Sequence, residues 1–258
     1  MKTLAILLAT SVLSAGNVAL AQTYSVSVGA EYSTGDYGGG AETDVLYVPV
    51  ALGVDAGDWS VRATLPYLSL SGPGIFLGED LPLVRDRATP IRQASEDVSG
   101  FGDFNLRVTK TTRLDEAGEW ELDLTGRVKF PTADEADGLG TGETDVSASA
   151  DLIRNVGEWS VFVGGGYRMN GDPEGRDLND IGFGSLGAVR YTEKGSSWGV
   201  AYDFSQAASD DVDDAHELSS WVSFGLSDAA RIQIYGLTGL SEGGPDYGGG
   251  ARLVFSLN

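Results

Sequence analysis

The amino-acid sequence predicts an all-β chain that closes as a transmembrane, antiparallel up-and-down β-barrel of about twelve strands. Three observations carry the prediction. Apolar and polar residues alternate, most cleanly from Gly118 to Phe130. There Trp120, Leu122, Leu124, Val128 and Phe130 share one face, and Glu121, Asp123, Thr125, Arg127 and Lys129 share the other. A Gly-containing turn followed by Trp also recurs, and the steps from Trp120 to Trp159 and from Trp159 to Trp198 are each 39 residues. Finally, short connections of four or five residues alternate with longer ones of about six to nearly thirty, as expected of a barrel with short periplasmic turns and long outer loops.

Taken in order, the first strand is Tyr24 to Tyr32, with Tyr24, Val26, Val28, Ala30 and Tyr32 in phase. A Gly-rich loop leads to a second with Leu46, Val48, Val50, Leu52 and Val54 outward, and a tight turn leads to the Trp59 strand, which runs to about Leu70. After the longest connection, Ser71 to about Gly100, Phe101 to Thr112 turns outward Phe104, Leu106 and Val108. The Trp120 strand follows, and the loop Ala133 to Glu143 leads to a strand with Val146, Ala148, Ala150 and Leu152. Then come the Trp159 strand, a Gly-rich strand through Tyr191, the Trp198 strand, the loop Ala207 to Glu217, strands ending near Leu226 and Leu240, and a last strand from Tyr247 to Leu257.

A β-sandwich alternates in the same way. Outward Trp59, Trp120, Trp159 and Trp198 at the short-turn end, charged inward positions, and no helix to cover an apolar face favour the membrane, with the four Trp as an interfacial girdle. Residues 1–21 read as a signal peptide: Lys2, the apolar run Leu4 to Leu13, and Ala19-Leu20-Ala21 before Gln22. Residues 22–258 are then the barrel, exported to the outer membrane of a Gram-negative envelope. Such a barrel implies as partners outer-membrane lipid and lipopolysaccharide, the barrel-assembly machinery and a small-molecule solute. The chain has no Cys, and 17 basic against 38 acidic residues leave a net charge of −21, the wrong sign for a nucleic-acid partner.

The inward phase collects Arg62, Arg107, Arg127, Lys129, Arg168 and Arg252 with Asp103, Glu121, Asp123, Asp145, Asp151 and Asp203. Mixed charges of this kind form either cross-strand ion-pair ladders or a solute-selecting ring. Tyr47, Phe162, Trp221 and Tyr235 share that phase, as filler or as stacking surface. The long connection carries Ile75, Phe76, Leu77, Leu81, Pro82, Leu83 and Val84 and then Arg85, Arg87 and Arg92, so it is either a lid over the mouth, with Phe76, Arg85, Arg87 and Arg92 as its candidates, or a loop docked on acidic neighbours. Those neighbours are Asp134, Glu135 and Asp137; Asp172, Glu174 and Asp177; and Asp210, Asp211, Asp213 and Asp214. They are either a solvated surface or a bridge, through divalent cations, to lipopolysaccharide. The spacing of the last group is not that of a Ca²⁺ loop, so no metal or cofactor is expected. The single His, His216, falls in the predicted loop near Ser219 and Ser220, a poor arrangement for a lipase, and no enzyme is expected.

Three stretches resemble a known family: Leu65-Pro66-Tyr67 with the following Ser-Gly-Pro-Gly, the run SGFGDFNLRVTK from Ser99 to Lys110, and FPTAD with GLGTGETD from Phe130 to Asp145. Together they resemble the outer-membrane transporter-like family named for the meta-pathway of phenol degradation. The resemblance implies a monomeric barrel that passes small, often aromatic, compounds.

Overall fold

The structure, a computed structural model, describes residues 22–37, 42–72, 97–173, 175, 177–192, 195–210 and 212–257. The segment read as a signal peptide and the lid candidates Phe76, Arg85, Arg87 and Arg92 lie outside the described residues, as do Glu174 and Asp211. The strands are β1 (Gln22–Gly35), β2 (Thr43–Ala56), β3 (Trp59–Ser71), β4 (Val98–Phe101), β5 (Phe104–Arg113), β6 (Trp120–Phe130) and β7 (Asp145–Val156). They continue with β8 (Trp159–Met169), β9 (Ile181–Tyr191), β10 (Ser197–Ser205), β11 (Ala215–Ser227), β12 (Ala230–Gly239) and β13 (Tyr247–Leu257). Strands adjacent in the chain pair antiparallel, except that β4 and β5 both pair with β3, and β1 also pairs with β13, which closes the sheet. No helix among the described residues is long and apolar enough to cross a membrane.

The thirteen segments make a wall of twelve strands, because β4 and β5 are one strand broken by a bulge. β3 pairs Tyr67 with Phe101 and Thr64 with Asn105, so four steps on one side face three on the other. The extra residue flips the phase: Phe101 stays outward at 62% exposure while Asp103 is driven inward to 0%. This also corrects the expected extent of the long connection, since Val98 to Gly100 belong to the wall.

The wall is inside-out relative to a water-soluble protein. Leu46, Leu52, Val163, Leu186 and Val222 are exposed, while Glu31, Arg127, Lys129, Asp151, Asp203 and Glu217 are buried. Alternation of this sense buries strand polarity in the lumen and offers hydrocarbon to lipid. At the short-turn end Gly57, Gly118 and Gly157 have φ of 61°, 69° and 60°. A Cβ on Gly118 or Gly157 would meet nothing, so glycine is there for its left-handed backbone rather than for space.

Candidate pore and solute site

Register sorts the inward charges into rows. Arg62, Arg107, Arg127, Ser147 and Arg168 are successive cross-strand partners from β3 to β8. A second row runs Asp123, Asp151, Gly164, Ser185, Asp203 and Glu217 from β6 to β11. Between them lies a row of small polar groups, Ser60, Thr109, Thr125 and Ser149, in which the Thr109 and Thr125 hydroxyls share a hydrogen bond of 2.9 Å. On β6 the basic and acidic rows are four residues apart, roughly 13 Å along the strand. Strands in barrels tilt by roughly 35–45°, so each row climbs the wall rather than ringing it. Arg62 and Asp123 lie near the short-turn end of their strands, and Arg168 and Glu217 near the long-loop end.

In the outer half the lumen is filled. Lys129 Nζ lies 2.7 Å from Asp145 Oδ2 and 3.4 Å from Asp103 Oδ2, and it donates to Thr141 Oγ1 at 2.8 Å. Asp103 Oδ1 accepts from the backbone N–H groups of Thr132 and Ala133, each at 2.9 Å, and Asp145 Oδ1 accepts from that of Gly171 at 3.0 Å. The buried ion triad thus pins the β6–β7 connection inside the barrel. Its tip, Leu139, is 2% exposed and packs with Tyr37, Val45, Tyr47, Leu68 and Leu70. A Cβ on Gly140 would press within 2.7 Å of the Asp103 carboxylate, which is why the tip is glycine.

In the inner half the lumen opens into a chamber of about 410 Å³. Arg107, Glu121, Asp123 and Asp151 charge one side, and Phe162, Tyr191 and Trp221 line the other with Ile153 and Val189. The aromatic rings lie along the wall rather than across the lumen. Phe162 covers Gly187 and Trp221 covers Gly199, their direct partners on the next strands, where any Cβ would collide with the ring. Between chamber and plug lie two water-sized spaces, of about 30 and 10 Å³, flanked by Arg107, Arg127, Asp151, Lys129, Asp145 and Arg168. There Arg127 Nε and Nη2 both donate to Asn105 Oδ1, at 3.0 and 2.8 Å.

The residues selected from sequence therefore separate by depth. Tyr47, Asp103 and Lys129 belong to the plug. Arg62, Arg107, Arg127 and Arg168 form the basic row, and Glu121, Asp123, Phe162 and Trp221 face the chamber. Tyr235 donates to Glu31 Oε2 at 2.6 Å. Trp59, Trp159 and Trp198 are exposed at the short-turn end, where Trp120 is half-buried. Each Trp has a basic neighbour that sequence reasoning passed over: Lys110 lies 5.5 Å from the Trp59 ring, Arg154 5.0 Å from Trp120 and Arg190 5.9 Å from Trp159. Arg190 is also the cross-strand partner of Trp198, whose ring meets that of Trp159 edge-on.

His216 corrects an expectation. It lies in β11 rather than in a loop, on the lipid-facing side against Phe204, with Nδ1 hydrogen-bonded to the Tyr202 hydroxyl. Ser219 is on the opposite, buried face, and Ser220 is four residues along the strand, roughly 13 Å away. The strand thus separates the groups a Ser–His pair would need. Also unanticipated was Leu139, whose one signal is that it stands alone as an apolar residue between glycines in an otherwise acidic loop.

A closed wall, an apolar outer surface and a charged lumen define the outer-membrane β-barrel class. Among solved structures, an outer-membrane channel from Pseudomonas putida F1 is similar at a TM-score of 0.74 and 18% identity, covering 94% of this chain and 99% of that one. NanC porin gives 0.57 at 10% identity over 90% and 99%, and KdgM porin in complex with disordered oligogalacturonate gives 0.51 at 6% over the same shares. No known protein family and no curated protein matches the sequence. The fold is thus that of outer-membrane channel barrels.

Proposed function

We propose that this protein is an outer-membrane channel through which small solutes, aromatic ones among them, move down their gradients. The observation that carries the reading is the polar and aromatic chamber of about 410 Å³ inside a closed wall, beneath a folded-in loop rather than a solid core. The resemblance of Ser99 to Lys110 and of Phe130 to Asp145 to an outer-membrane transporter-like family supports the channel, as does the shared fold with channels and porins. The inward candidates Tyr47, Arg62, Asp103, Arg107, Glu121, Asp123, Arg127, Lys129, Phe162, Arg168, Trp221 and Tyr235 then line the solute path. The girdle Trp set the inner leaflet boundary, residues 1–21 direct export, and the acidic outer loops meet the lipopolysaccharide layer.

A second reading is favoured by one observation, the Lys129 triad and Leu139 cluster in the outer half. It makes the protein a structural or surface-interaction barrel with a closed lumen. Single-channel recording of the refolded full-length protein in planar bilayers separates the two. Discrete conductance supports the channel. Silence, both in the full chain and in a variant with residues 133–142 replaced by a short Gly-Ser link, supports the closed barrel.

A further inference from the structure

We propose that the short-turn rim of the wall, from β3 to β10, binds anionic phospholipids of the inner leaflet, whose phosphates are held by Lys110, Arg154 and Arg190 beside the girdle tryptophans. The inference rests on the barrel standing in a membrane and is independent of whether the lumen conducts.

Direct cross-strand partners project to the same side of a sheet, so a residue paired with a lipid-facing Trp also faces lipid. Lys110 pairs with Trp59, Arg154 with Trp120, and Arg190 with both Trp159 and Trp198. Among the described strands these are the basic residues of the lipid-facing phase, and its one carboxylate, Asp44, stands at the opposite, long-loop end of β2. A chain of net charge −21 thus turns cations toward lipid at this rim. The three fall on β5, β7 and β9, every second strand, so they stand roughly 10 Å apart across the wall. From β11 round to β2 the lipid-facing rim is apolar instead, with Leu226, Leu257, Tyr24 and Val54. Aromatic rings alone fix the height of a barrel in the membrane. An arc of cations adds a choice of neighbour.

All three side chains are exposed, and their charged groups lie 5.5 Å (Lys110), 5.0 Å (Arg154) and 5.9 Å (Arg190) from a Trp ring. The apolar stems can lie on hydrocarbon while the heads reach headgroup level, where a lipid-facing charge costs little. Their charge is left available. Lys110 and Arg154 have no carboxylate within ion-pair distance among the described residues, and Arg190 meets Glu158 at 2.9 Å with the side chains 45% and 50% exposed, where a pair is worth little. Exposed acids, Asp58, Glu116, Glu119 and Glu158, occupy the short connections beyond the strand ends, on the water side of the rim. An anion arriving from solution meets them first, whereas a lipid phosphate arrives sideways within the leaflet. The arrangement therefore favours a lipid phosphate over a free one.

Tryptophan fluorescence reads the lipid beside this rim. The intact barrel is refolded into vesicles of phosphatidylglycerol and phosphatidylcholine, one or the other carrying bromine on its acyl chains, and the quenching gives their relative affinity. Phosphatidylglycerol is expected to be preferred about fivefold, the factor that ~1 kcal/mol per interfacial basic group produces. Lys110→Gln combined with Arg154→Gln should bring the ratio close to one, and Lys110→Arg combined with Arg154→Lys should keep it. Neither pair of changes strands a described carboxylate, so loss of folding is not the expected reason for a change. Arg113→Gln is the control. It removes a charge at the same end but in the lumen-facing phase, opposite Glu121, where the side chain is 77% exposed, and it should leave the ratio unchanged. Equal quenching by the two lipids overturns the proposal, and so does a similar fall in the Arg113 variant, because net charge alone would then explain the preference. Loss of the preference on adding inorganic phosphate at constant ionic strength also overturns it, since the rim would then be a site for a soluble anion.

Discussion

The two halves of the lumen are made by the same wall and behave as different materials. The outer half is a dry core turned inside the barrel, with Leu139 and the apolar residues of β2 and β3 around a buried Lys129–Asp103–Asp145 triad. The inner half is a wet chamber whose charges and rings face open volume. In the first, Lys129, Asp103 and Asp145 are committed to one another and to backbone N–H groups, with little room to move. In the second, groups such as Asp123 are held in place by the strand and left for whatever enters. Rigidity and receptivity thus reside at different depths of one β-sheet.

The sharpest way to break that comparison is Lys129→Met. It leaves Asp103 and Asp145 as buried carboxylates without their cation, a loss of roughly 3–5 kcal/mol. Urea unfolding of the refolded barrel should show it, whereas Arg62→Met, on the half-buried part of the basic row, should cost under about 1 kcal/mol. Equal losses at the two sites would mean that the halves do not differ in commitment. Restoring neutrality with Asp103→Asn and Asp145→Asn in the Lys129→Met background should recover part of the stability.

Leu139→Ala comes next. Removing its side chain from the cluster should cost about 2–4 kcal/mol, and under the channel reading it should raise single-channel conductance, because the tip of the β6–β7 connection no longer fills the outer lumen. A stable variant with unchanged conductance would show that the solute path avoids this cluster.

The difference between the halves also explains what was legible in the sequence. Outward phase is simple to read, because lipid demands an apolar residue at every second position, and the twelve-strand wall followed from it. The inward phase has no such uniform demand. Val45, Leu46, Tyr47 and Val48 form an unbroken apolar run, a strand with hydrocarbon on both faces; the inward phase of Tyr47 is legible there, but passing over Val45 hid the core that the two build. The bulge at Gly102 and Asp103 was likewise hidden, since a one-residue excess shows only against the partner strand. The charges were identified by phase, but their arrangement in rows is a property of register, which no single strand contains. Leu139 and the residues it joins, Tyr37, Val45, Tyr47, Leu68 and Leu70, are far apart in the chain, and only folding the loop inward brings them together.

For the inner half, Gly199→Ala tests whether the rings line the wall by design. A Cβ there collides with Trp221 and with the Ala188 carbonyl, at a cost of about 1–3 kcal/mol. The ring should swing into the chamber, lowering conductance and quenching less of its fluorescence by the wall. Gly118→Ala is the control. Its φ of 69° makes alanine unfavourable, but nothing lies near the added Cβ, so stability should fall without a change in conductance. A fall in conductance in both would tie the effect to general destabilisation.

The smallest expected effect lies outside the lumen, at the girdle. The guanidinium of Arg154 stands 5.0 Å from the Trp120 ring and is its cross-strand partner, at an exposed position where such a contact is worth about 0.5–1 kcal/mol. Trp120→Leu keeps an apolar residue facing lipid and gives up only the interfacial ring and that contact. It should lower stability by about that amount in lipid bilayers and leave conductance unchanged, because Trp120 points away from the chamber. A larger loss in bilayers than in detergent would show that the ring is held by the lipid interface rather than by Arg154. A change in conductance would mean that the inner half is less insulated from the outer surface of its wall than the alternation of β6 implies.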